Sequence, residues 1–78
     1  MQYAIESSRK VLADALGLEK EWVPITASIE TFEEWSSMGH IRLVHYIENM
    51  ICRKLETEEI LRIVDLDGIA NVLSLEDF

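Results

Sequence analysis

Glu34-Trp35-Ser36-Ser37-Met38-Gly39-His40-Ile41-Arg42-Leu43-Val44-His45-Tyr46-Ile47-Glu48 decides how the chain is read. Two serines stand where a loop ends and a helical pattern begins, with Ile41, Val44, Ile47, Met50, Ile51 and Leu55 following at steps of three and four. The pattern predicts a helix from Ser37 to Leu55. Ser36 is its expected N-cap, because a serine oxygen accepts a hydrogen bond from the orphan N–H groups of a first turn. Ser37 then opens the helix with an exposed hydroxyl, and a phosphate joined to it would lie in the favourable field of the helix N-terminus.

On the N-terminal side, from about Gln2 to Leu16, Ile5, Val11, Leu12, Ala15 and Leu16 with the small Ser8 form one stripe of a first helix. Gly17 supplies its stop and Leu18 turns back into the core. The segment Glu19 to Trp35 has no sustained period and contains Pro24, so it reads as a long loop pinned by Trp22, Val23, Ile25, Ile29, Phe32 and Trp35. Both tryptophans are expected to anchor it. Ser28 is placed to cap a short helical turn reaching Glu33.

Beyond Leu55, Glu56-Thr57-Glu58-Glu59-Ile60-Leu61-Arg62 predicts a short third helix capped near Thr57 with acids in its first turn. Asp65 caps a fourth, in which Leu66, Ile69, Val72 and Leu73 recur at helical spacing and Gly68 is a weak point. The fold class is therefore all-α: a small four-helix bundle of three main helices and one short one, with a long first loop. At 78 residues it is one domain, 1–78, with a core of modest size.

Charge narrows the function classes. A net charge of −8 argues against nucleic acid and against anionic membrane surfaces, and favours a basic protein partner. The acids are uneven: Glu19 to Glu34 holds five against Lys20, and Glu56 to Asp77 seven against Arg62. The second helix sets only Glu48 against Arg42, Arg53 and Lys54. Without a basic leader or a span-length apolar run, the chain is expected to be soluble and cytoplasmic. Cys52, the single cysteine, has no internal disulfide partner and reads as a buried or half-buried residue of the second helix.

Catalytic machinery is hard to find. His40 lies one turn from Ser37, but no third group completes a nucleophile, and His40 and His45 are five apart, which puts them on different helix faces. Both read as surface histidines. Asp65-Leu66-Asp67-Gly68 fails as a calcium loop, because Ile63 and Ser74 fall where the first and last ligands belong.

Ser36-Ser37-Met38 at the start of the second helix resembles the acyl carrier protein family, whose mark there is Asp-Ser-Leu. The likeness extends over nearly the whole chain, through Leu16-Gly17-Leu18, Glu21-Trp22-Val23, Ala27-Ser28-Ile29 and Leu66 with Ile69, at the family's spacing and without insertion. It implies that Ser37 carries 4′-phosphopantetheine, transferred from coenzyme A by a phosphopantetheinyl transferase with Mg²⁺. The chain would then be a monomeric, non-enzymatic carrier of an acyl thioester, presented to acyl-loading and acyl-using enzymes in fatty acid, polyketide or a more specialised synthesis. Met38 and Ile41 match the family's apolar partner contacts and Glu48 one of its acids, while His45 replaces an apolar contact.

Departures at Ser36, Arg42 and Gly39 add to those at Met38 and His45. Ser36 stands for the aspartate that helps engage the transferase, keeping the cap but bearing on transfer efficiency. Arg42 and Gly39 stand where acids are usual, so steering falls more to acids of the first loop and third helix. An aminoacyl or peptidyl carrier fits the same positions, and so does an unmodified adaptor that offers Met38 and Ile41 to a protein partner.

Overall fold

Helix α1 (Ile5–Leu16) is the element against which the others pack, and the reason lies in its sequence: Ser8, Val11, Leu12, Ala13, Ala15 and Leu16 are all buried. The computed structural model describes residues 5–74, so the part of the expected first helix before Ile5 lies outside the described residues. Gly17 ends α1 at φ +74°, where a side chain would be strained, with the Leu18 N–H bonded to the Ala13 carbonyl at 2.8 Å and the Gly17 N–H to Asp14 at 3.3 Å. Leu18 returns to the core edge as expected.

Three further helices complete the all-α bundle: α2 (Ser37–Ile51), α3 (Thr57–Arg62) and α4 (Leu66–Ser74). α1 packs on α2 and α4, and the short α3 lies against α4. Leu66, Ile69, Val72 and Leu73 of α4 are buried as their spacing requires. In α2 the buried positions are Gly39, Leu43 and Ile47, at steps of four. Leu43 replaces Ile41 on the inward face, and Ile41 is 54 % exposed.

The first loop is pinned more selectively than expected. Val23, Ala27 and Trp35 are buried and Ile29 and Phe32 pack against the core, but Trp22 and Ile25 are exposed. Trp22 sits in a 3₁₀ turn, Lys20–Trp22, whose outward side it occupies. Arg9 holds that turn, its Nε donating to the Val23 carbonyl at 2.8 Å and a terminal nitrogen to Lys20 at 3.2 Å. Ser28 caps a single turn, accepting from the Thr31 N–H at 3.2 Å, and the Ile29 N–H donates to Val64 at 2.8 Å, which ties the loop to the α3–α4 link.

Helix α2 stops four residues before the expected Leu55. Cys52 takes the left-handed conformation, φ 59°, and is exposed, not an inner residue of the helix. Leu55 is still buried, as the first core residue after the turn. α3 is capped at Glu56, one residue before the expected Thr57, and the Glu56 N–H donates to Glu59 Oε1 at 2.9 Å.

Glu59 is a buried acid held by a two-pronged pair with Arg53, at 2.9 and 2.8 Å. The Arg53 hydrogen bonds, joined by the Glu56 N–H and opposed by burial, lower its pKa from 4.5 to about 2. A depressed carboxylate contributes stability that is complete above the unfolded-state value and is lost as pH falls through the folded one. After discounting for the half-open arginine, the contribution is about 1–2 kcal/mol. Denaturation of the wild type and Glu59→Gln should therefore differ by that amount at neutral pH and converge between pH 4.5 and about 2. A gap that does not change with pH would refute this role.

Candidate functional site

The start of α2 is built by Ser36. Its backbone is extended (φ −79°, ψ 179°), its Oγ accepts the Gly39 N–H at 3.2 Å and its carbonyl takes the His40 N–H at 2.8 Å. The expected cap is present. The N–H groups of Ser37 and Met38 precede the helix ladder and stay on the solvent end.

A helix turns by about 100° per residue, so Ser37 and Ile41 share a face about 200° from the buried Gly39. Ser37 is exposed, and around it Met38 is 72 % and Ile41 54 % exposed, large apolar side chains left in water beside a primary hydroxyl. His45, one turn further, is exposed on the same face. Leu61 of α3 is a further exposed leucine, missed in the sequence because a six-residue helix is too short to display a period.

Glu48 departs from its expected place. The wheel puts it on the outward face, yet its side chain is only 13 % exposed, because the chain after α2 folds back over it. Its Oε2 accepts the Leu55 N–H at 2.9 Å, so it serves the α2–α3 link instead of offering a free charge to a partner. Glu59 is likewise committed, to Arg53. Glu19, Glu21, Glu30, Glu33, Glu34 and Glu58 are the acids of the loop and α3 that stay exposed.

Gly39 has a steric reason. A Cβ there would come within 2.9 Å of Leu16 Cδ2 and 3.2 Å of the Glu34 carbonyl, so the acid the resemblance puts at this position would require Leu16 to turn aside and the Glu34 backbone to give by a few tenths of an ångström. Arg42, by contrast, is exposed, near Gly17.

His40 is not a surface histidine. It is half-buried, its Nδ1 receiving the Trp35 indole N–H at 3.2 Å and its Nε2 lying 3.2 Å from the Ile60 carbonyl. With both ring nitrogens engaged it has none left to act as a base for Ser37. Among the described residues no group of three or more His, Cys, Asp or Glu is arranged to hold a metal ion. An open depression lined by His45, Glu48, Asn49, Cys52, Arg53 and Lys54 lies at the far end of α2, about 20 Å along the helix from Ser37.

No helix among the described residues is long and apolar enough to cross a membrane. Comparison of the chain with models of known protein families and with curated proteins finds no match.

Proposed function

We propose that the chain is a carrier protein of the acyl carrier type, with 4′-phosphopantetheine attached to Ser37. The observation that supports this reading most is the exposed Ser37 hydroxyl at the first residue of a capped helix, beside exposed Met38 and Ile41. The donors fit the group: a primary hydroxyl open to solvent to form the phosphoester, and the unladdered N–H groups of Ser37 and Met38 at the positive end of α2 beside the phosphate. When bound, the group supplies a terminal thiol that holds an acyl chain as a thioester. Ser36 fixes the turn that presents Ser37, and Met38 and Ile41 give a partner enzyme an apolar contact next to the attachment point. His45 borders that contact, and the exposed loop acids supply steering toward a basic partner. The transferase, the loading enzyme and the using enzyme carry the catalysis, so the chain itself needs no acid–base pair. A cytoplasmic setting, where coenzyme A and such enzymes meet, belongs to the same reading.

Intact mass after incubation with coenzyme A, Mg²⁺ and a promiscuous transferase tests it. The wild type should gain one phosphopantetheine group and Ser37→Ala none. Gain only in Ser36→Asp would mean that Ser36 blocks that transferase and would direct the test to a dedicated one. No gain in either favours the second reading, an unmodified adaptor, for which the exposure of Met38, Ile41 and Leu61 also speaks.

A further inference from the structure

Trp35, His40 and Ile60 bring three elements together beside Ser37: the end of the first loop, the first turn of α2 and the last turn of α3. The indole N–H can only donate, so His40 Nδ1 must be the unprotonated nitrogen. A carbonyl can only accept, so the Ile60 oxygen requires the proton on Nε2. Both contacts together demand one neutral tautomer of one ring. The ring also lies over Trp35, centroids 6.2 Å apart and planes tilted by 32°.

We infer that His40 is a proton-sensitive clasp which, neutral, fixes the turn carrying Ser37 to the loop and to α3, and which opens when the ring takes up a second proton. That proton has only Nδ1 to occupy. It would set an N–H against the Trp35 N–H, two donors facing each other, and leave a buried indole of 1 % exposure without an acceptor. Trp35 is the residue directly before the Ser36 cap, so release of its ring loosens the turn that positions Ser37. No charged side chain of the three elements forms a hydrogen bond or ion pair with the ring among the described residues. Glu33 and Glu34 of the loop, Arg42 and His45 of α2, and Glu56, Glu58 and Arg62 of α3 are exposed, while Glu59 is held by Arg53. Imidazole can take up a second proton, so the state of the clasp follows the protonation of this one ring. The inference rests on these contacts and is independent of the carrier reading.

The test is nuclear magnetic resonance of the unmodified wild type. At about pH 8 the imidazole ¹⁵N spectrum of His40 should show the Nε2–H tautomer. Indole N–H exchange of Trp35, measured relative to the exposed Trp22 in the same molecule, should speed up by about tenfold or more as the pH is lowered and the His40 ring takes up its second proton. His40→Asn, which places a non-titrating carbonyl oxygen near Nδ1, should abolish that pH dependence while keeping Trp35 slower than Trp22; His45→Gln should leave it intact. An Nδ1–H tautomer at the higher pH, or a Trp35 exchange ratio that ignores the His40 titration, would overturn the inference, and neither result depends on modification of Ser37.

Discussion

Replacing Trp35 by alanine should bring the domain close to unfolding. The ring is 1 % exposed in the core formed with Leu12, Leu43 and Ile47, and its N–H is the donor that satisfies His40. Truncating a buried tryptophan costs about 3–5 kcal/mol. A domain of this length has a total stability of about 4–12 kcal/mol, so the loss is a large part of it. Thermal denaturation should show a fall of at least about 12 °C. Trp22→Ala is the informative partner, because Trp22 is 69 % exposed on its 3₁₀ turn and should change stability by no more than about 0.5 kcal/mol. Equal losses from the two substitutions would contradict the unequal anchoring.

Gly68→Ala should destabilise, although helix propensity alone argues the other way. Alanine in a helix interior is worth about 1 kcal/mol over glycine. Here the added Cβ would overlap the Arg62 carbonyl oxygen, with the carbonyl carbon 2.8 Å away and Asp65 Oδ1 at 3.2 Å. The obstacle is backbone, so no rotamer change can relieve it. Overpacking of this kind costs about 1–3 kcal/mol and occasionally more. Moving α3 off α4 would also strain the Asp65 cap, whose Oδ1 receives the Gly68 N–H at 2.7 Å. The backbone overlap puts the cost at the upper end of that range, so a net loss of about 2 kcal/mol is expected as a lower urea midpoint. An alanine variant as stable as the wild type would show that the α3–α4 contact gives way easily.

Within the site, local signals were the readable ones. Ser36 as cap, Ser37 as the opening residue, Gly17 as a stop and Asp65 as a cap all depend on hydrogen bonds or backbone conformation within a few residues, and the structure has each of them. The exposure of Ser37 and Met38 follows from the same short-range geometry. Glu48 was misread because its accessibility is decided by residues that follow the helix, and His40 because its two partners come from the loop before it and the helix after the next turn. Arg9 carried no signal at all, since an arginine on an amphipathic helix ordinarily faces water, whereas this one caps the carbonyls of Lys20 and Val23.

What the sequence by itself determined is the set of helices, their stripes and most of their caps, because helical periodicity and capping are properties of neighbouring residues. An all-α bundle with a long first loop follows from those alone. The tertiary structure decided where α2 ends, which tryptophan is buried, why position 68 must be glycine, and which charged groups stay free. Each of those depends on contacts between elements: the chain folding back over Glu48, the core of Leu12, Leu43 and Ile47 around Trp35, the Arg62 carbonyl against Gly68, and Arg53 on Glu59. The physical reason is that burial and hydrogen-bond satisfaction belong to the packed whole, and periodicity shows which face is apolar without showing what will cover it.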